Sequence, residues 1–423
     1  TSGTRWVLHL ADGADPVVFV APGDDVPEVL AHLLFGVTAG RPLAEIATLT
    51  SHHRHSAVSI GDGATDVSVD DDLVVGPDGY RRRRVRLELL SGDPGEYSLA
   101  LARLRQAGAT SAPTCSVLTD LLADQLAEAR LQRVPLDGET TLAELARASV
   151  TRATRELLII DPWLRLDALP DEVHDARVAV RRLRSDLETL APLLRRRRAE
   201  RLRDELAWLA GHLGRVRDLD VLADHVHDWL PETAIDDEGG RLLLRRLRNE
   251  RRVAAMVLRN ALASPRYDAL VRNLRQAARR TTWKRGVHGS DVAADPARHL
   301  ARHAFGRVEK DVERLDDPPR VSQLRRVRRD AKASRYAAEL VSPVVHDELD
   351  DLADAMHALQ DSLRALRDSV AMHDWVHGLP ADHLAPAEAW AAARLTRAAD
   401  VAADDARASW LGVWARRPGA TPD

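Results

Sequence analysis

From about residue 141 to the end, apolar residues recur three and four positions apart over long stretches. This period restricts most of the chain to helices that bury one face. Leu, Ala and Arg dominate these stretches, and all three lose little conformational freedom on entering a helix. The pattern is interrupted at PWLRLDALPDE, PETAIDDEGG, ALASPRY, GVHGSDVAADP, DDPPR and HGLPADHLAP. Their Pro, Gly and Asp residues mark helix connections. With 423 residues, more than one core is expected.

The first hundred residues follow a different period. TRWVLHL alternates, and PVVFV is a short extended run. Pro27 to Phe35 predicts a helix entered through proline, and Leu43 to Leu49 predicts a strand. SAVSIGDG, ATDVSVDDDLVVG and RRRRVRLELLSG are runs closed by Gly or Asp, the pattern of an antiparallel meander. Residues 117–133 predict the first long helix. The expected class is α+β: a mainly antiparallel β region within 1–135, then an all-α domain over 141–423.

An internal echo divides the helical part. RVAVRRLR (177–184) is matched by RRDAKASR (328–335), 151 positions on. LGRVRD (213–218) is matched by LRALRD (363–368), 150 positions on. Two echoes at nearly one offset imply two pseudo-symmetric bundles, about 141–290 and 291–423.

The echoed helices are basic. On a helix over 173–190, His174, Arg177, Arg181 and Arg184 fall along one side, at +0, +3, +7 and +10. Ala176, Ala179, Val180, Leu183, Leu187 and Leu190 occupy the other. Arg325, Arg328, Lys332 and Arg335 repeat the spacing, with Arg325 in the place of the histidine. From His174 to Arg203 ten arginines face four acids, and from Arg320 to Arg335 seven basic residues face one. Yet the formal net charge is -4. The total excludes a uniformly basic coat and leaves room for a local basic cleft.

Like charges along one helix face cost stability unless something neutralises them. A ligand rich in phosphates would do so, and arginine offers phosphoryl oxygens a rigid fork of donors. One such helix alone reads as an ordinary solvated face; two with the same spacing point to a surface for a polyanion. No aromatic ladder accompanies the basic rows, which disfavours base stacking. Trp208, Trp229 and Trp375 read as packing residues.

Other classes lose ground. Cys115 is the single cysteine, which suits a reducing compartment. No apolar run reaches membrane-spanning length and no secretory signal opens the chain. The chain starts at Thr1, so upstream residues are expected to have been removed. There is no GxxxxGK[ST], HExxH or GxSxG. The adjacent Asp70, Asp71 and Asp72 predict an exposed turn more readily than a cation site.

VHDARVAVRRLRSDLETLAPLL and LGRVRDLDVL resemble the two signatures of the CHAD family, the conserved histidine α-helical domain. LRRVRRDAKASRYAAELVSPVV and LQDSLRALRD resemble the matching pair in its second half. The likeness covers roughly residues 141–423. It implies an all-helical domain of two bundles that binds inorganic polyphosphate and associates with cytoplasmic polyphosphate granules in bacteria. The implied contacts are His174, Arg177, Arg181, Arg182, Arg184 and Arg217, then Arg325, Arg328, Arg329, Lys332 and Arg335. The family's second motif ordinarily begins Leu-His; here it reads Leu324-Arg325, which retains charge and removes an imidazole. Metal binding through histidines is therefore not expected, and no cofactor is.

The N-terminal part resembles the later half of a CYTH domain, the fold of triphosphate tunnel metalloenzymes. TRWVLHL is similar to its Trp-x-Leu-Lys-Leu strand, with His9 replacing the lysine, and VRLELLSG to a strand that supplies a tunnel acid. The usual opening Glu-x-Glu-x-Lys strand is absent, leaving Glu88 with Arg54 and Arg86. A tunnel triphosphatase needs clustered carboxylates to hold its cation. The expectation is a noncatalytic polyphosphate binder. The alternatives are a metal-dependent triphosphatase or polyphosphatase, or a scaffold for protein or RNA.

Overall fold

A computed structural model describes residues 4–8, 17–21, 25–61, 65–111, 121, 135–229, 238–345, 349–380 and 384–417. His9, Cys115 and, apart from residue 121, the helix expected over 117–133 lie outside the described residues. The architecture is α+β, with short antiparallel sheets first and helices after. By internal contacts the chain forms two compact units, Leu43–Gln132 and the remainder, Thr1–Pro42 with Arg133–Asp423.

The smaller unit is the expected meander. β3 (Thr50–Ile60), β4 (Thr65–Val75) and β5 (Arg81–Ser91) pair antiparallel in the order β3-β4-β5. The strand expected over Leu43 to Leu49 does not form. β3 opens at Thr50, which pairs with Val75, and β4 ends there before the Gly76-Pro77 turn. Among the described residues, no strand pairs with those upstream. The helix α3 (Pro94–Gln106) was not anticipated, although its signal is legible: Asp93 caps it by accepting from Gly95 N at 2.9 Å, and Pro94 opens it.

Asp70, Asp71 and Asp72 correct a second expectation, because they lie in the middle of β4 rather than in a turn. Strand alternation sends Asp70 and Asp72 to one face and Asp71 to the other. Across the ladder Asp70 bonds His55 Nδ1 at 2.7 Å, Asp72 bonds His53, and Asp71 takes both forks of Arg83 at 2.8 and 2.7 Å. Opposite charges directly across a ladder offset the poor strand propensity of Asp. The same register separates Arg54, opposite Asp71, from Arg86 and Glu88, which lie opposite Asp70 and Ser68.

The larger unit contains the hairpin of β1 (Thr4–Leu8) and β2 (Val17–Ala21) and two short helices. The single helix expected from Pro27 is split into α1 (Glu28–Leu33) and α2 (Phe35–Thr38). The long helices follow: α4 (Leu142–Leu166), α5 (Pro170–Thr189), α6 (Arg196–Trp229), α7 (Glu238–Leu262) and α8 (Pro265–Arg279). Then come α9 (Ala294–Glu313), α10 (Val321–Val345), α11 (Asp350–Ser362), α12 (Arg364–His377) and α13 (Pro386–Ala415). No helix among the described residues is long and apolar enough to cross a membrane.

The connections start helices as their composition predicts. A capping box opens α4, with Thr141 N donating to Glu144 Oε2 at 2.9 Å and Glu144 N to Thr141 Oγ1 at 3.3 Å. Pro170, Pro265 and Pro386 stand at the first turns of α5, α8 and α13. In the later half, Val308, Leu324, Val327, Met356, Leu359 and Trp410 share one core.

A buried polar knot ties α2 to the helices. Asp161 Oδ1 accepts from Tyr267 Oη at 2.6 Å, and Oδ2 from Arg165 Nε at 2.9 Å; the Gly36 backbone also bonds this carboxylate. Burial pushes the Asp161 carboxyl up, against the pull of Arg165 and these donors. The Arg165 guanidinium lies 5.9 Å from the centroid of the Phe35 ring. A methyl group on Gly36 would strike the Asp161 carboxylate. Gly36→Ala is therefore expected to cost about 1–3 kcal/mol in urea denaturation and to speed proteolysis within 25–42. An unchanged midpoint would mean that α2 is not held by this knot.

Candidate anion-binding site

α5 buries the face that its period predicts: Val173, Ala176, Ala179, Val180, Leu183 and Leu187. α10 does the same through Leu324, Val327, Ala331, Tyr336 and Val341. The two helices pack on one another, so their basic rows meet at a seam between the halves. Arg177, Arg181, Arg328, Lys332 and Arg335 are all half-buried there.

Tyr336 is the hub. Its ring is buried, at 3% exposure, and has the cationic ends of Arg181, Arg182, Lys332 and Arg335 at 5.8, 5.9, 6.0 and 4.7 Å from its centroid. Arg181 donates to the phenol oxygen from Nε at 3.1 Å and from Nη2 at 2.9 Å. Four cations within 6.0 Å of one centroid lie no more than about 12 Å apart. At that separation each pair repels by about 1 kcal/mol or more at an effective dielectric near 20. One aromatic face returns about 0.5–2 kcal/mol per cation, which offsets only part of this.

Carboxylates serve some of these cations and not others. Glu339 pairs with Arg182 at 2.7 Å and Arg335 at 3.2 Å. Arg177 reaches Asp218 at 2.8 Å and the Gly214 carbonyl at 3.2 Å. Arg328 donates to the Gln360 carbonyl at 3.1 Å. Asp368, on α12, bonds Arg367 and lies 3.3 Å from His225. Among the described residues, Arg181, Arg328 and Lys332 have no carboxylate within 4.0 Å.

The titrations follow. Burial, then Arg181, Arg328, Arg177 and Arg367, push the Lys332 ammonium down to about 6. Burial, then the Arg367 charge, bring Arg328 to about 10. His174 is also pushed down, by burial first and by Arg217, Arg181 and Arg177, while Asp175 opposes the shift. One turn from Arg182, buried Asp186 rises to about 6, although Ser149 Oγ donates to it at 2.6 Å.

The other expected residues differ in exposure. His174, Arg325 and Arg329 are exposed, and Arg329 touches Asp330 at 3.4 Å. Arg217 is half-buried on α6, and Arg184 buries an Nε that has no hydrogen-bond partner. Sequence reasoning missed Tyr336 and Arg367. Arg367 was available from the repeat, since it stands 150 positions after Arg217. No group of three or more His, Cys, Asp or Glu among the described residues is arranged to hold a metal.

A model of the CHAD domain matches residues 148–377. Two uncharacterized Mycobacterium tuberculosis proteins, MT2285 of strain CDC 1551 and Rv2226 of strain H37Rv, are 27% identical over 404 residues. Each alignment covers 85% of this chain and 77% of the relative. Among solved structures, the CHAD domain from the plant Ricinus communis is similar over 68% of this chain and 96% of its own, at 25% identity and a TM-score of 0.55. PptA from Streptomyces chartreusis shares the fold over 66% of this chain and 100% of its own, at 23% identity and a TM-score of 0.55.

The crowding has a measurable cost. Lys332→Met is expected to stabilise the unliganded chain at pH 7 by about 1 kcal/mol or more, because it removes the cost of holding this buried lysine largely unprotonated. The folded pKa of Lys332 is depressed, so the penalty is absent above the ordinary lysine value, grows as pH falls and is complete below about 6. The gain from the substitution should therefore shrink toward pH 10. Urea midpoints at several pH values check this, and a destabilised variant at pH 7 would contradict it.

Proposed function

The chain belongs to the CHAD domain family, and from that premise we propose that it binds inorganic polyphosphate without catalysis, at the seam of α5 and α10. The observation that carries this reading is the set Arg181, Arg328 and Lys332, three half-buried basic side chains without a carboxylate partner among the described residues. A chain of phosphates would bring one negative charge per unit along both rows. Arg217 and Arg367 stand at equivalent places in the repeat and extend the track. Polyphosphate fits better than nucleic acid because Tyr336, the aromatic residue of the seam, is buried beneath cations and offers no face for a base. The proposed setting is the bacterial cytoplasm, at polyphosphate granules, with no membrane partner. The three-stranded sheet is given no catalytic part in this proposal.

Calorimetry with long-chain polyphosphate at about physiological salt is the direct test. Saturable binding is expected, and none by the folded chain would reject the proposal. Reversing charge at Arg177, Arg181, Arg328 and Lys332 together should weaken binding at least about a hundredfold with helicity intact. Unchanged affinity would place the site elsewhere. RNA that displaces polyphosphate at equal phosphate concentration would favour a scaffold instead. Phosphate release from triphosphate with Mg²⁺ or Mn²⁺ should stay at background, and release above it would contradict the noncatalytic reading.

Binding should also take up protons. Bound phosphate raises the Lys332 pKa from about 6, so at pH 7 to 8 the complex gains a proton that the free chain lacks. Affinity should rise as pH falls from 8 toward 6 and then level off. The charged groups that face Lys332 are Arg177 and Arg181 on α5, Arg328 on α10 and Arg367 on α12. His174 contributes in the same direction if phosphate reaches it. Calorimetry in buffers of different ionisation enthalpy measures the uptake. In Lys332→Met it should drop by close to one proton; an equal uptake in both proteins would exclude Lys332.

A further inference from the structure

A cavity of about 500 Å³ lies away from the seam, between α4, α5, α6 and α8. Its floor is aliphatic, built by Ala146, Val150, Leu187, Leu190, Leu202 and Leu270. Its mouth carries Arg195, Arg198, Arg201 and Arg280. All four are exposed, and none forms a side-chain hydrogen bond or ion pair among the described residues. Nearby acids are partly consumed, since Glu205 is held by Arg266 at 2.7 and 3.3 Å. Asp204 alone stands against the four arginines.

The mouth also receives the start of α6, a helix of 34 residues with no acid in its first turn. Helix N-termini ordinarily attract acids, because their free N–H groups carry partial positive charge. Here Arg196, Arg197 and Arg198 occupy that turn, and Arg196 alone of the three has an acidic partner, Glu200 at 2.7 Å. Unpaired cations and a helix terminus thus converge on one side of an apolar hollow. No aromatic side chain lines it among the described residues, so a planar ring would find no stacking partner.

We propose that this cavity is a second site, independent of the polyphosphate track, for a single-chain amphiphile with an aliphatic body and an anionic head. The floor has the size of an ordinary small-ligand cleft. The alkyl chain lies over Val150, Leu187, Leu190 and Leu270, and the phosphate or carboxylate head meets Arg198 and Arg280. Nothing in this assignment depends on polyphosphate binding at the seam.

Calorimetry of the full chain tests it with dodecyl phosphate, dodecanoate and inorganic phosphate, the alkyl probes below their micelle concentrations. At least one alkyl anion should bind at micromolar concentrations, and comparison of the two identifies the preferred head. Octyl phosphate, four methylenes shorter than dodecyl phosphate, should bind about a hundredfold more weakly. Ala277→Phe, which fills the cavity, should abolish binding. Arg198→Glu with Arg280→Glu, both on the surface, should weaken it about tenfold or more while leaving the melting temperature unchanged. Saturating polyphosphate should not displace the probe. Four results would each overturn the proposal: no alkyl anion bound, inorganic phosphate bound as tightly, the charge-reversed chain binding like the wild type, or displacement by polyphosphate.

Discussion

The constraint on which the helical unit turns is the repulsion gathered where α5 meets α10. Each helix buries an aliphatic stripe against its own bundle, and those stripes fix its rotation about its axis. The basic rows then have nowhere to turn except toward one another. Packing on one side of each helix thus supplies the free energy that holds like charges together on the other. Surrounding groups relieve the repulsion selectively. Glu339 takes Arg182 and Arg335, Asp218 takes Arg177, and the Tyr336 phenol accepts from Arg181. Lys332 is driven toward its neutral form by burial first and then by the guanidiniums around it.

That arrangement divides the basic rows in two. Arg182 and Arg335 share an internal acid, Glu339. Arg181, Arg328 and Lys332 have no carboxylate partner among the described residues, and it is to these that the proposal assigns an outside anion. Arg325, which stands where the family's signature has a histidine, is exposed. His174 is likewise exposed, and its partial burial, then neighbouring arginines, favour its neutral form, in which it can still donate one hydrogen bond.

Much of this was legible beforehand. The 3.6-residue period located the long helices, Pro and Gly located their ends, and the echo 151 positions on brought Arg177 and Arg328 into correspondence. What failed did so for nonlocal reasons. Leu43 to Leu49 has strand character, yet a strand exists only where another offers a ladder, and β4 stops at Val75. Three adjacent aspartates read as a turn until the histidines of β3 and Arg83 of β5 are placed across from them. Tyr336 reads as one more apolar residue of α10, because its surroundings come from a helix 155 positions away in sequence. The cavity beneath Arg198 and Arg280 was invisible for the same reason, since four helices contribute to it.

The central claim is that the crowded cations of the seam are completed by phosphate, and Lys332 reports on this most directly. Its pKa can be followed by lysine-selective NMR in the free chain and with saturating long-chain polyphosphate, using Lys332→Met to assign the signal. The expected value is near 6 without ligand and in the ordinary lysine range with it. A value that stays near 6 while polyphosphate is bound would contradict the claim.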